Sequence, residues 1–516
     1  MTTRRREILA APALAILLAL AASPASVDAQ DRAPITYRVR VPQPDTQYAH
    51  VEAVVPTGGR ATVELMMPVW SPGYYRVEDY AARVDNVAAH GPGGEPLAIE
   101  KSRSNRWQLT TGGHASIRLT YRLLCDQRTV TTNEVTKEYG VFNGAAAFIT
   151  LVETGRRPHE VQFDLPAGWT RVMTGLEVVP GEGAPRFRAA DYETLVDSPI
   201  LAGKLGVRAF TVAGTPHSVV SAGDTAGWDG DAATKALETY VQETHRFWGF
   251  LPYERYLFLL VFREGGGGLE HKNSTLCTVA ARPGPGPWPS LGLLAHEHFH
   301  LYNAKRLRPV ELGPFDFEKP PTTGALWIAE GVTSYYSTLL MTRAGMRTVP
   351  EYLASLSSLI STLENAPGRR LQSVEQSSLE VWNNSNSGVN PSASTVSYYN
   401  KGNVMGLLLD ARIRRATGGR ASLDDVMRLA FRRYSGERGY TADEFRQTAE
   451  EVAGVDLGEW FKRAVSSTED LDYEDLLEWF GLRFTTGEGI TGRWKLELRP
   501  DATDEQRARV RAWLQP

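Results

Sequence analysis

The sequence predicts a multidomain α+β protein, with a β-sandwich-like N-terminal domain followed by a mainly helical domain. Three observations carry this. The chain has 516 residues, 42% of them apolar, which is enough for more than one core. From about residue 34 to 215, apolar residues alternate with period two between Gly- and Pro-rich turns. Beyond about residue 230 the apolar spacing becomes helical and surrounds one dense stretch, Leu293-Leu294-Ala295-His296-Glu297-His298-Phe299-His300-Leu301-Tyr302-Asn303.

Residues 1–29 read as a signal peptide. Arg4, Arg5 and Arg6 precede an apolar run, Ile8 to Ala22, and Val27-Asp28-Ala29 before Gln30 fits signal-peptidase cleavage. The run is short and poorly flanked for a membrane span, and an uncleaved N-terminal anchor is the alternative to cleavage. Its adjacent arginines leave twin-arginine export open beside the general route. The mature chain is expected to be periplasmic or secreted, with no stable membrane span after signal removal. The net charge of -4 includes the leader arginines, so the mature chain is more acidic still, which argues against a nucleic-acid partner. Two cysteines, Cys125 and Cys277, are too few for a four-cysteine zinc site, and a bridge between them is not expected.

The expected division is 30–215 for the β-rich domain, 216–470 for the helical domain and 471–516 for a short C-terminal extension. Within the first, Ile35–Val41, Ala61–Met66 and Ser116–Leu123 alternate as strands, separated by turns such as Pro56-Thr57-Gly58-Gly59 and Thr111-Gly112-Gly113. The second opens on a helix over Ala232 to Phe250. A continuous apolar strand follows, Tyr256–Phe262, then Gly265-Gly266-Gly267-Gly268-Leu269-Glu270-His271, where glycines let backbone approach a ligand closely. Pro283 to Pro287 reads as a loop, and Ser290 as the N-cap of the next helix.

That helix carries His-Glu-x-x-His. Residues four apart share a helix face, so His296 and His300 can point at one Zn²⁺, with Glu297 beside the open position where a water would sit. Two histidines leave a catalytic zinc site one protein ligand short. Glu330, in the apolar run Leu326 to Tyr336, is the natural third ligand, since an acid so surrounded needs a partner. His298 should point off the metal face. Thr333 or Ser334 could support the histidines. Lys305, Arg306 and Arg308 suit either a helix C-terminus or acids behind the site. Gly331 suggests close helix packing.

His296-Glu297-His298-Phe299-His300-Leu301-Tyr302-Asn303-Ala304-Lys305-Arg306-Leu307-Arg308-Pro309, with Leu326-Trp327-Ile328-Ala329-Glu330-Gly331, resembles the glycyl aminopeptidase family of zinc metallopeptidases. The resemblance covers most of the mature chain and implies a thermolysin-like catalytic domain with one zinc per chain on two His and a Glu. Trp70-Ser71-Pro72-Gly73-Tyr74-Tyr75 and Asp197-Ser198-Pro199 are similar to segments of that family's N-terminal domain, and no chemistry is assigned to them. Gly267-Gly268-Leu269-Glu270-His271 resembles the segment of related zinc aminopeptidases whose edge strand pairs with substrate and whose Glu holds the free α-ammonium. This makes Gly267, Gly268, Glu270 and His271 the expected substrate-binding residues. Tyr399-Asn400-Lys401-Gly402, ahead of a helix over Asn403 to Arg415, is similar to the segment whose Tyr stabilises the oxyanion, with Tyr398 as the fallback. The family usually ends in a PDZ domain. The some 30 residues after Phe484 are too few for one.

The resulting expectation is a zinc aminopeptidase acting on peptides with a free N-terminus. His296, His300 and Glu330 bind metal, and Glu297 and Tyr399 are catalytic. A preference for N-terminal Gly or Ala is what the resemblance implies. The rivals are a zinc endopeptidase of the same fold and a non-catalytic peptide-binding envelope protein.

Overall fold

The computed structural model describes residues 33–153, 156–280, 288, 290–383 and 388–515. The leader, the Pro283–Pro287 loop and residues 384–387 of the polar stretch before Pro391 lie outside the described residues.

The N-terminal β-rich domain is built on an eight-stranded sheet with two four-stranded sheets beside it. At the centre of the large sheet, Ile35–Arg40, Tyr48–Pro56 and Ser116–Leu124 are antiparallel neighbours. Ile35–Arg40 also runs parallel to His159–Asp164. Period-two alternation places Tyr37, Val39, Val51, Leu119 and Tyr121 in the core, where they meet Leu65 and Trp107 of the second sheet and Phe142 and Ile200 of the third.

Gly206–Val212 leaves these sheets. It pairs with Thr215–Gly223, and both join Tyr256–Phe262, Ser274–Val279 and Gly267–Glu270 in a five-stranded sheet. This sheet therefore begins before residue 216, where the sequence placed the division. The alternation simply runs on through Gly206–Gly223 and hides the change of sheet. Tyr256–Phe262 lies between two parallel neighbours and is buried along its whole length, which explains its unbroken apolar run. Among the described residues Gly267–Glu270 is the last strand of this sheet, with one edge unpaired.

The helical region packs into one large core. Helix Gly230–Trp248 is capped by Asp229, whose side chain accepts from Ala232 N, and stops at Gly249 with φ 83°. The motif helix, Leu291–His300, ends where Asn303 and Ala304 (φ 113°) turn the chain. Ser290 stands at its N-cap without a side-chain capping bond. The long helix starts at Tyr398, not Asn403, with Ser397 accepting from Asn400 N, and runs to Thr417. The C-terminal residues form a hairpin, Leu482–Gly487 with Ile490–Leu498, and a helix, Asp504–Leu514. Trp513 and Leu514 are buried in the helical core, and Trp513 Nε1 donates to the Tyr335 hydroxyl at 3.1 Å. Cys125 and Cys277 are both free and buried. Among the described residues no helix is long and apolar enough to cross a membrane.

Candidate active site

His296 and His300 stand one turn apart on the motif helix, their rings perpendicular with centroids 4.4 Å apart and their Nε2 atoms 2.9 Å apart. Glu330 comes from a widened helical turn, Trp327–Val332, that feeds helix Thr333–Arg343. Its Oε2 lies 3.1 Å from His300 Nε2 and 3.5 Å from His296 Nε2. Tetrahedral zinc with bonds near 2.0–2.1 Å needs donor separations of about 3.3 Å, which the three edges bracket.

The outer hydrogen bonds fit the same occupant. His300 Nδ1 donates to the Asn303 carbonyl at 3.0 Å, so in the neutral ring Nε2 is the acceptor that faces the site. The Ser334 hydroxyl gives its hydrogen to the Glu330 carbonyl at 2.9 Å and so receives His296 Nδ1 at 3.4 Å. Two ring nitrogens and a carboxylate oxygen thus converge on one point, an arrangement that suits a cation. The charge balance agrees. Burial alone would lower the His300 pKa, yet Glu330, Glu270 and Glu297 raise it to about 10.

Glu297 is 5% exposed, and its carboxylate adjoins those of Glu270 and the His300 ring. Burial raises its pKa to about 8, with Glu270 and Glu330 adding to the rise against the pull of His300. Gly268 makes its position possible, since a Cβ there would lie 2.5 Å from Glu297 Cδ and Cγ. Glu270 ends the edge strand, and burial raises its pKa also. The Tyr399 ring lies 6.0 Å from that of His296, while Tyr398 stacks behind it and is 3% exposed. Gly331 presses on the backbone of Gly402, where a Cβ would meet Gly402 C at 2.6 Å. This crossing brings the turn of Glu330 against the first turn of the long helix, which carries Tyr399.

His298 does turn away from the metal face. It is buried, with Nε2 3.2 Å from the Tyr253 hydroxyl and its ring among Tyr240, Tyr256 and Phe258. His271 differs from expectation. It is 3% exposed, and its ring turns to Asp197, Nδ1 to Oδ1 3.4 Å, rather than lining the cleft. Asp197 also takes Lys305 Nζ at 2.6 Å and the backbone N–H of Lys272 at 2.8 Å. Lys305 therefore pairs with an acid behind the site. Arg306 instead donates to the carbonyls of Leu301, Lys272 and Pro252.

Sequence reasoning missed four contributors. Asn303 Nδ2 donates to the Ile328 carbonyl at 2.8 Å and to Thr333 Oγ1 at 3.0 Å, pinning the Glu330 turn to the end of the motif helix. Asp197 is described above. Gly73, with φ 89°, sits against the Glu270 carboxylate, where a Cβ would lie 2.8 Å from Cδ and Oε2. The Tyr75 hydroxyl donates to Glu330 Oε1 at 3.3 Å. The available signal was that Trp70–Tyr75 and Asp197-Ser198-Pro199 already stood out as family-like segments without a role.

Comparison with known proteins fits this geometry. The profile of the Peptidase M61 N-terminal domain matches residues 36–204, and that of M61 glycyl aminopeptidase matches residues 290–405. An aminopeptidase N family protein from Idiomarina loihiensis superposes with a TM-score of 0.83 at 27% identity, covering 89% of this chain and 81% of that one. An M1 zinc metallopeptidase from Deinococcus radiodurans shares the fold at 13% identity with a TM-score of 0.54, over 86% of this chain and 95% of that one. A structure of a mutant of that enzyme holds a Tyr-Ser-Ala substrate, at 15% identity with a TM-score of 0.52, over 86% of this chain and 95% of that one. No curated protein matches the chain in sequence.

Proposed function

The chain belongs to the M61 glycyl aminopeptidase family of peptide hydrolases, and on that footing we propose that it is a zinc-dependent aminopeptidase removing small N-terminal residues, Gly or Ala, from peptides. One observation carries the aminopeptidase reading: three buried carboxylates, Glu270, Glu297 and Glu330, gather around His300. With His296, His300 and Glu330 assigned to the metal and Glu297 to the attacking water, Glu270 at the end of the edge strand is the carboxylate left for the free α-ammonium of a substrate. Lys305 adds no excess charge, being paired with Asp197.

Zinc bound by His296, His300 and Glu330 would supply Lewis acidity, polarising the scissile carbonyl and lowering the pKa of a water. Glu297 takes the proton of the attacking water and passes it to the leaving nitrogen. The Tyr399 hydroxyl donates to the oxyanion. The free edge of Gly267–Gly268 pairs with the substrate backbone, as a β-strand addition. Gly73 blocks the far side of Glu270, so a chain running past it, as an endopeptidase requires, meets backbone. The leader supports an exported location.

The test is hydrolysis of Gly-, Ala- and Leu-p-nitroanilide and N-acetyl-Ala-p-nitroanilide by zinc-loaded protein. Free-amine substrates should turn over, the smaller ones fastest, and the acetylated one should not. Comparable cleavage of the acetylated substrate would establish the endopeptidase. No cleavage of any of these or of a longer-peptide mixture would leave the binding-protein reading.

A further inference from the structure

Each of the three metal-facing side chains has a partner on its far atom. For His300 it is the Asn303 carbonyl, and for His296 the Ser334 hydroxyl, both within the helical region. For Glu330 it is Tyr75, which stands 255 residues earlier in the chain, in the β-rich domain. The two oxygens of Glu330 are thereby distinguished. Oε2 faces the histidine nitrogens, and Oε1 takes the Tyr75 hydroxyl. The Glu330 side chain is 3% exposed, so water is not at hand to replace that hydroxyl.

Tyr75 is itself braced. Its ring meets Trp382 edge-on at 6.0 Å, and Trp382 meets Trp70 edge-on at 5.6 Å. Trp382 Nε1 donates to the Pro321 carbonyl at 2.6 Å, and Trp70 Nε1 to the Asp316 carbonyl at 2.9 Å. The hydroxyl is thus held by an aromatic strut that runs from the β-rich domain into the helical one. The backbone of Glu330 is fixed independently by the Gly331–Gly402 crossing.

Resting on the zinc reading above, we infer that Tyr75 is a positioning residue for the metal site. Its hydroxyl holds Glu330 Oε1 so that the carboxylate offers one oxygen, Oε2, to the ion. The N-terminal domain is then part of the zinc site, although it contributes no ligand. Outer partners of this kind typically change metal affinity by about 10–100-fold.

The experiment is zinc affinity by competition with a chromophoric chelator, on the full chain, for wild type, Tyr75→Phe, Glu330→Ala and the double variant. Phe keeps the ring on Trp382, so the melting temperature of the metal-free protein serves as the folding control. The expected result is about a 10-fold or greater rise in the zinc Kd for Tyr75→Phe, with no further rise when the substitution is made in Glu330→Ala. A Kd within about twofold of wild type overturns the inference. So does an equal loss in the Glu330→Ala background, because the effect would then bypass Glu330. Wild type that takes up no zinc overturns the zinc reading itself, a different failure from zinc uptake indifferent to Tyr75.

Discussion

Gly268→Ala is a substitution whose effect can be worked from distances. The methyl would fall 2.5 Å from both Cδ and Cγ of Glu297. Ordinary carbon contacts are about 3.5 Å, so Glu297 must retreat by about 1 Å. It has little room to do so, being 5% exposed and flanked by Glu270 and His300. Overpacking of this kind costs about 1–3 kcal/mol, which a folded chain of this size survives. The chemistry suffers more. A misplacement of about 1 Å in a reacting group costs about 100-fold, or about 2.7 kcal/mol of barrier. The assay is kcat and KM on Ala-p-nitroanilide with zinc content measured in the same samples. The expected outcome is a fall in kcat of about 100-fold, with KM and zinc content near wild type, because Glu297 is not a ligand. Full zinc, normal melting and kcat within about threefold of wild type would refute the placement of the base.

Glu270→Gln keeps the shape and removes the charge. It should cost about 2–5 kcal/mol in kcat/KM on free-amine substrates, and an undiminished kcat/KM on Ala-p-nitroanilide would count against the amine anchor. Gly331→Ala drives a methyl into backbone at Gly402 C and Tyr398 O, which cannot swing aside. A loss of more than about 3 kcal/mol is expected, and a melting temperature within a few degrees of wild type would show that the crossing is looser than described. His159 and His217 are buried, and burial lowers both to about 4. Below pH ~6.5 the unfolded chain binds protons that the folded one resists, so stability is full above that pH and falls as pH drops toward 4. Each histidine accounts for up to about 3 kcal/mol. The melting temperature should fall less steeply with acid in His159→Gln, and parallel curves would refute the assignment.

What could be read from the sequence was local. His296, Glu297 and His300 are set by spacing within one helical turn, and Glu330 by an acid stranded in an apolar run. Gly268 and Glu270 were visible through the resemblance of Gly267–His271 to a substrate-pairing segment, since a glycine run after a strand by itself reads equally as a surface loop. The end of the motif helix has a tertiary cause. No Gly or Pro interrupts the residues before Pro309, and the stop comes from Asn303, captured by Ile328 and Thr333 from a later segment. The start of the long helix was misplaced for a related reason. Gly402 looks like a breaker, but it sits inside the helix because Gly331 must touch it. Gly73, Tyr75 and Asp197 carry no periodic signal at all, since their partners lie in other segments of the chain.

The separation of 255 positions between Tyr75 and Glu330 also sets an order of assembly. His296 and His300 are brought together by helix formation alone, and Glu330 arrives by closing a short loop. The Tyr75 bond closes a span several times longer, at roughly 2 kcal/mol more in chain entropy. It can form only after both domains have folded and docked, as can the contact of Gly73 with Glu270. A partly folded chain can therefore bring His296, His300 and Glu330 together before Gly73 and Tyr75 reach the site. The finished site is one of the last features to appear, and its completion reports that the whole chain has folded.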